Sequence, residues 1–133
     1  SGNRGCLQTI AGSRVLLDQI AASHGEEATL DDLVAGALQG EAAYRRAIED
    51  AGTAIGSALA IVCNLVNPGA IVLGGQLVAA GDILLAPLET ALRRRVMPRS
   101  ARELVIAPAG HGADSAMRGA LRLARERFGV LAA

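Results

Sequence analysis

The sequence predicts a helix-rich α/β fold with few strands. A long helical pattern ends at Asn67-Pro68, because proline cannot continue a helix and biases the preceding residue towards extended backbone. The aliphatic stretch Ala70 to Leu73 follows and is typical of a short buried strand. Gly74-Gly75 comes next, where the absence of a Cβ atom lets the backbone turn tightly or approach a ligand. Helix, strand, glycine turn and a further helix indicate the carboxyl end of a strand in a ligand-binding domain.

Length and composition indicate a single core made of aliphatic side chains. The 133 residues suffice for one domain, and 51% are hydrophobic although only 2% are aromatic. The formal net charge is zero, so no overall field attracts nucleic acid or an acidic membrane. Two cysteines form no disulfide framework, and no signal peptide is visible, which together favour the cytoplasm. The uncharged residues 51–81 are interrupted by Asn, Pro and Gly, so they are expected in a core and not in a membrane.

The first part of the chain predicts three short helices. The first covers Cys6 to Ala11 and the second Ser13 to Ser23, with apolar residues on one face. The third begins at Thr29 and ends before Gly40. Two aspartates follow Thr29 closely, in the first turn, where the helix dipole favours negative charge.

The longest predicted helix runs from Glu41 to about Val66. Its second half is apolar nearly all round, which indicates burial between other elements. Gly52 and Gly56 lower helix stability, so we expect them to permit a close approach of another helix or a sheet. Cys63, in the apolar half, is interpreted as a small packed hydrophobic residue and not as a reactive thiol.

The last third predicts one more strand between two helices. The pattern places a helix over Val78 to Val96, a strand over Leu104 to Ala107, and a closing helix from Asp114 or Ser115 through Phe128. Two parallel strands do not make a stable sheet alone, so the remaining strands are expected in sequence outside this chain. The residues of the closing helix expected to face the core are Met117, Leu121, Leu123 and Ala124.

Three segments resemble motifs of the ROK family of repressors, open reading frames and kinases. Residues 2–8, Gly-Asn-Arg-Gly-Cys-Leu-Gln, resemble its zinc-loop pattern Cys-x-Cys-Gly-x-x-Gly-Cys-x-Glu. Residues 67–77 resemble its Asn-Pro-x-x-Ile-Val-Leu-Gly-Gly stretch. Gly112 and Gly119-Ala120 resemble its closing Gly-x-x-Ala-x-x-Gly-Ala helix. The resemblance extends over essentially the whole chain.

The resemblance implies an actin-like ATPase fold, which is ribonuclease H-like, with sugar and nucleotide bound in a cleft between two α/β domains. Residues 1–133 are then expected to be the C-terminal segment of a sugar- or effector-binding domain, and so a partial domain. The family's phosphate loop and catalytic Asp lie upstream of the zinc loop, and no residue here matches them. We therefore expect no catalytic residue in this chain and no catalysis by it alone.

Two departures from the family pattern concern ligands. Of the zinc ligands, one His and three Cys, only the third Cys has a counterpart, Cys6, and the second falls at Ser1. Zinc prefers four nitrogen or sulfur ligands, so no metal site is expected here, although family members bind zinc. Gln8 stands where family sugar kinases have a Glu that contacts a sugar hydroxyl. Gln keeps one acceptor oxygen and gains donors, so Gln8 is the predicted substrate-binding residue, with changed preference or lost binding as the alternative.

The resemblance places the Gly-Gly turn near the adenosine of a nucleotide. Gly74 and Gly75 are therefore the predicted cofactor-binding residues if the whole protein binds ATP. A tight strand-to-helix turn without any ligand explains both glycines equally well.

The functional hypothesis is that the chain forms part of a sugar-responsive transcriptional regulator. Residues 81–95 end in three arginines and resemble the same segment in the regulators of the ROK family that are common in GC-rich bacteria. The chain most resembles an actinobacterial ROK regulator. The implied partners are a sugar effector, a second copy in a homo-oligomer, and DNA, reached through a helix-turn-helix upstream; a membrane is not among them. The alternative is an ATP-dependent hexose kinase of the glucokinase type. A third possibility is a domain that serves only dimerisation, with Gly52 and Gly56 as packing contacts.

Overall fold

The computed structural model describes residues 7, 11–24, 28–97, 104–110 and 114–128. Its elements confirm a helix-rich α/β architecture with few strands. Helices α1 to α3 come first, β1 and a short 3-10 helix follow, and α4, β2 and α5 complete the described chain. Their bounds are α1 Ser13–His24, α2 Leu30–Leu38, α3 Ala42–Val66, β1 Ala70–Leu73, the 3-10 helix Gln76–Ala80, α4 Asp82–Arg93, β2 Val105–Pro108 and α5 Ser115–Phe128. The predicted helix over Cys6 to Ala11 lies almost entirely outside the described residues.

Local hydrogen bonds explain where α2 begins and where α3 ends. Thr29 caps α2 reciprocally: its hydroxyl accepts from the Asp32 amide at 3.2 Å, and the Asp32 carboxylate accepts from the Thr29 amide at 2.9 Å. α3 ends at Asn67, whose φ of 49° and ψ of 58° are left-handed. The Asn67 amide still donates to the Cys63 carbonyl at 2.8 Å, and Pro68 prevents any continuation. Both boundaries confirm the sequence-based prediction.

The two strands form a parallel sheet that is covered on one face only. The strand predicted over Ala70 to Leu73 is therefore present, but its predicted burial is wrong, because its side chains alternate between half-buried and exposed. Ala70 pairs with Val105, and the register continues to Leu73 opposite Pro108. Ile71 and Ile106 pack on a buried cluster that contains Cys63, Leu92 and Val96. Side chains alternate along a strand, so Val72 and Val105 lie on the opposite face, where they are 67% and 59% exposed.

Helices α3 and α4 pack closely against each other, and two glycines allow it. A Cβ atom on Gly52 would lie 2.5 Å from the Leu84 carbonyl oxygen, and one on Gly56 would lie 2.1 Å from that of Leu88. Real Cβ contacts are never so short, so only glycine fits at these positions. The close helix approach is therefore confirmed. Because both glycines are used inside the chain, they are not free for dimer packing, and that part of the dimerisation hypothesis is wrong.

The predicted helix over Val78 to Val96 is wrong in its bounds. The structure has the 3-10 helix Gln76–Ala80, then Gly81, then α4. Gly81 has a φ of 58° and a ψ of −129°, a conformation that interrupts helical hydrogen bonding. The predicted second strand is also one residue early. Leu104 is buried just before β2, while Pro108 ends it, where the missing amide of proline is tolerated.

Two predicted core faces are exposed. In the second half of α3, the Ile61 side chain is 65% exposed and the Leu65 side chain is 80% exposed. The prediction that this half of the helix is buried on all sides is therefore wrong. The helix packs through its small residues on one side, and no element in the described part of the chain covers the other side. The same correction applies to α5, whose side chains Met117, Leu121 and Leu123 are largely exposed, while the Ala124 side chain lies outside the described residues.

Helix α3 is long and apolar enough, by length and composition alone, to cross a membrane. The sequence-based expectation for the uncharged residues 51–81, which include the second half of this helix, is a place in a core. Core helices pass the same test, and the Gly52, Gly56 and Cys63 side of α3 is buried against other elements of the chain. Packing within the chain therefore accounts for the buried side of α3.

Candidate functional site

A cavity of about 360 Å³ opens at the carboxyl end of β1. Leu73 and the following residues 74–78 form one wall. Ile55 of α3 with Leu84 and Leu88 of α4 form what we call the floor. Ser13, the first residue of α1, and Leu30, the first of α2, complete the lining. Gly74 and Gly75, the predicted cofactor-binding residues, therefore both line a cavity of the size that small ligands use.

Backbone conformation, and not crowding, explains glycine at position 75. Gly75 has a φ of 109° and a ψ of 170°, which side-chain-bearing residues rarely adopt. A Cβ atom there would meet nothing within 4 Å. The turn is anchored on both sides, because the Leu73 carbonyl accepts from the Ala109 amide at 2.7 Å and the Gly75 carbonyl accepts from the Val78 amide at 3.3 Å. The open space beside Gly75 is room that a ligand can approach.

One side-chain contact ties the wall of the cavity to α2. Gln76 follows the glycine turn and lines the cavity, and its Nε2 donates to the Asp31 carboxylate at 3.4 Å. Asp31 lies in the first turn of α2, between the two residues of the cap, Thr29 and Asp32. The Gln76 side chain is therefore held towards α2 by a residue that does not itself line the cavity.

The described lining is largely apolar, as in sites that bind small ligands. None of the described lining residues carries a charged side chain, and the polar side chains among them are Ser13 and Gln76. Elsewhere in the described ranges, no cluster of three or more His, Cys, Asp or Glu side chains is placed to hold a metal ion. Gln8, the predicted substrate-binding residue, and Cys6 lie outside the described residues, so the structure does not relate either of them to the cavity.

Cys63 lies away from this cavity, in the cluster between α3, α4 and the sheet. It is a free cysteine with 1% of its surface exposed, and burial raises the pKa of its thiol. A raised pKa disfavours the thiolate that reactive cysteines need. The interpretation of Cys63 as a packed hydrophobic residue is thus supported by its position.

Sequence reasoning found the glycines of the site but missed Ser13, Leu30, Gln76 and Asp31. Ser13 and Leu30 are the first residues of two helices that are far from β1 in the sequence. No local pattern shows that these two residues lie near the end of β1. Gln76 did offer a signal, because it is the one polar side chain between Ala70 and Ala80. A polar residue immediately after a glycine turn is the kind of residue that a binding site uses to fix a ligand's orientation.

Comparison with known proteins identifies the family. The sequence profile of the ROK family matches residues 1–127. The chain is 32% identical over 128 residues to the DNA-binding transcriptional repressor Mlc of Escherichia coli (strain K12), covering 90% of this chain and 32% of the repressor. It is 30% identical to the kanosamine kinase of Amycolatopsis mediterranei (strain S699), covering 92% of this chain and 40% of the kinase.

Solved structures confirm the fold. The crystal structure of a ROK family transcriptional regulator, a homologue of the E. coli Mlc protein, superposes with a TM-score of 0.75 at 32% identity, over 80% of this chain and 30% of that one. A ROK family glucokinase from Streptomyces griseus, solved with glucose and AMPPNP, gives a TM-score of 0.74 over 94% of this chain and 46% of that one. At 23% identity, the glucokinase supports the fold alone.

These likenesses bear out the predicted fold class, the actin-like fold of the ROK proteins, here rich in helix and poor in strands. The relatives include transcriptional regulators and sugar kinases. It spans about a third of the length of Mlc and two fifths of that of kanosamine kinase. With a family profile that matches nearly its entire length, the chain belongs to the ROK family.

Proposed function

We propose that this chain is part of the sugar-responsive body of a ROK-family transcriptional regulator and is not catalytic by itself. The observation that carries the proposal is the 32% identity over 128 residues to the repressor Mlc. The N-acetylglucosamine regulator NagC of E. coli, at 30% identity over 105 residues, supports it. In this proposal residues 1–133 are a partial domain, and the remaining strands and the DNA-reading helix-turn-helix lie in sequence outside it.

The proposed mechanism couples sugar binding to DNA binding through the angle between domains. A sugar in the cleft would hydrogen-bond Gln8, which offers an acceptor oxygen and two donor N–H groups where a kinase has a carboxylate. Closure of the cleft would change the spacing of two DNA-reading heads in a homodimer. A sensor does not need the charge of a Glu at this position, since it holds its ligand without transferring phosphate. In this proposal the protein acts in the cytoplasm and has no membrane partner. Its origin in an actinobacterium stays a prediction.

The cavity at the glycine turn is proposed as the cofactor site, with Gly74 and Gly75 at its wall. Its support is the open backbone beside Gly75 and the largely apolar lining, which suit the base and ribose of a nucleotide better than its phosphates. No charged side chain lines the cavity in the described chain, so any groups that bind phosphate would come from other parts of the protein.

A sugar kinase is the second candidate, and kanosamine kinase at 30% identity favours it. A kinase needs a general base and a phosphate loop, which the family places upstream of the zinc loop. The two candidates therefore differ in the sequence that precedes this chain: a helix-turn-helix favours a regulator, while a phosphate loop with a catalytic Asp favours a kinase.

The test is a hexose panel applied to the full-length protein with two measurements on each sugar. ADP release in a coupled assay measures phosphoryl transfer, and the melting temperature measures binding. We expect no turnover and a rise in melting temperature with one sugar. In the Gln8→Ala variant that rise should disappear, and in Gln8→Glu it should remain. Turnover with any hexose would refute the regulator and establish the kinase.

A further inference from the structure

A second pocket, of about 530 Å³, lies between α3 and α4 and shares no lining residue with the cavity at the glycine turn. We call it the arginine pocket. Its lining comes from both helices and from the turn that follows α4: Thr53, Pro87, Thr90, Ala91, Arg94 and Arg95. Within the described chain this lining contains two guanidinium groups and no carboxylate. The arginine pocket therefore concentrates positive charge in a chain whose formal net charge is zero.

Arg95 is held beside the pocket by bonds to α3. Its guanidinium Nη1 donates to the hydroxyl of Ser57, and its backbone carbonyl accepts from Asn64 Nδ2 at 3.1 Å. A planar guanidinium that is already held in place loses little further freedom when it binds an anion. The dipole of α4 explains a cation near its end, but it does not explain the bonds that hold one at this pocket.

The three consecutive arginines have different surroundings. Arg93 does not line the pocket, and its Nε donates to the Glu89 carboxylate at 2.7 Å. Arg94 and Arg95 do line it, and no ion pair among the described residues includes either of them. Their charges are therefore the ones available to an anionic ligand.

The hydroxyl groups of the pocket are arranged as acceptors. Thr90 Oγ1 donates to the Ala86 carbonyl at 2.8 Å, and Thr53 Oγ1 donates to the Glu49 carbonyl at 3.0 Å. Because both protons are used within the helices, the threonines offer a ligand only lone pairs, which suit a hydroxyl donor. Thr90 lies one helical turn before Arg94, and helical side chains lean towards the N-terminus, so one small molecule can reach both side chains.

We propose that the arginine pocket binds a small phosphate monoester whose alcohol part carries hydroxyl groups, a polyol phosphate. Such an ester carries a charge of about −1.5 to −2 at pH 7, which matches two guanidinium groups better than the single charge of a carboxylate. Three acidic side chains line an adjoining hollow towards the N-terminal ends of both helices, and they disfavour an anion there: Glu49, Asp50 and Asp82. The proposal goes beyond the proposed function and does not depend on whether the whole protein is a regulator or a kinase.

Four probes test the ligand class by isothermal titration calorimetry on the full-length protein, in phosphate-free buffer at constant ionic strength. Glycerol 3-phosphate should bind most tightly. Propyl phosphate has the same length and charge but no alcohol hydroxyl, and it should bind about tenfold more weakly. Glycerate replaces the phosphate by a carboxylate and should also bind about tenfold more weakly. Glycerol should show no binding.

Substitutions test the location of the site. Arg94→Gln removes one guanidinium but no hydrogen bond of the described chain, and it should weaken glycerol 3-phosphate about tenfold. Thr90→Val keeps the shape of the side chain and should reduce the advantage of glycerol 3-phosphate over propyl phosphate. Arg93→Gln is the matched control, because it removes the same charge from the same turn outside the pocket. Its affinities should equal those of the wild-type protein.

Each other result overturns a defined part of the proposal. Absence of glycerol 3-phosphate binding, or equal losses in Arg94→Gln and Arg93→Gln, would refute the site. Equal affinities for the two esters would refute the role of the threonine hydroxyls. Weaker binding of random-sequence duplex DNA in Arg94→Gln, without any binding of the ester, would assign the arginines to a nucleic-acid backbone instead. A rise in melting temperature with a hexose in Arg94→Gln would show that this variant is folded and would test the proposed function separately.

Discussion

Substituting Gly56 by alanine tests whether the contact between α3 and α4 controls the stability of this chain. The added Cβ would lie 2.1 Å from the Leu88 carbonyl oxygen and 2.9 Å from the Leu88 carbonyl carbon. Carbon and oxygen need about 3.3 Å, so α4 would have to move by about 1.2 Å. The atoms met are backbone, and Leu88 itself is fully buried, so the whole helix must shift.

The expected net effect is a loss of about 2 kcal/mol in the free energy of unfolding. Overpacking costs about 1–3 kcal/mol, and the upper end applies because no flexible side chain can yield. Replacing a helical glycine by alanine returns about 1 kcal/mol of intrinsic helix stability. The overpacking term is the larger of the two, so Gly56→Ala should destabilise the protein.

Urea unfolding of the full-length protein measures this effect as a lower midpoint with an unchanged slope. Gly119→Ala is the matched control, because Gly119 is also helical but a Cβ there would meet nothing within 4 Å. That variant should be as stable as the wild-type protein or more stable, by up to about 1 kcal/mol. A midpoint for Gly56→Ala equal to or above the wild-type value would show that the two helices are not held at the separation described here.

Three further substitutions test local interactions. Thr29→Ala removes the α2 cap and should lower the unfolding free energy by about 1 kcal/mol in urea, whereas Thr29→Ser should restore it. Asn64→Ala removes the bonds from Asn64 Nδ2 to the Arg95 carbonyl at 3.1 Å and from the Met97 amide to Asn64 Oδ1 at 3.0 Å. Its cost should be about 1–2 kcal/mol, with faster hydrogen exchange at Met97; unchanged exchange would contradict the bond. Burial raises the pKa of Cys63, so the folded thiol stays protonated where the unfolded thiol ionises, above about pH 8.5. Stability should therefore fall as the pH rises beyond that value, and this part of the pH dependence should be missing in Cys63→Ala.

The sequence predicted the elements whose signals are local. The Asn67-Pro68 break, the Thr29 start and strand β1 each depend on a few neighbouring residues, and the structure has all three. Gly52 and Gly56 could be interpreted as contact positions because glycine inside a long helix has few other uses. The division of one predicted helix at Gly81 was missed, because a single glycine in an apolar pattern does not show its backbone conformation.

Burial and the composition of the site could not be predicted with the same success. An apolar face indicates that a surface is suited to burial, but what covers it depends on tertiary structure. Leu65 in α3 and Met117 in α5 were expected inside and are exposed. The cavity combines residues 13, 30, 55, 73–78, 84 and 88, and their meeting follows from packing that no period in the sequence encodes. The glycine turn was predicted because its chemistry lies within two adjacent residues.

The glycine contact also determines which part of the cavity can adapt to a ligand. Its floor, Ile55, Leu84 and Leu88, belongs to the two helices that Gly52 and Gly56 bring into backbone contact. At these two positions a helix meets the backbone of its neighbour and not a flexible side chain, so the floor acts as a rigid template. The opposite wall is a short 3-10 helix that packs on the same hydrophobic cluster as α2 through Ala80, while its exposed Gln76 side chain donates to Asp31. A ligand in this cavity would therefore have to match the shape of the floor, because the floor is the part of the lining that can adapt least.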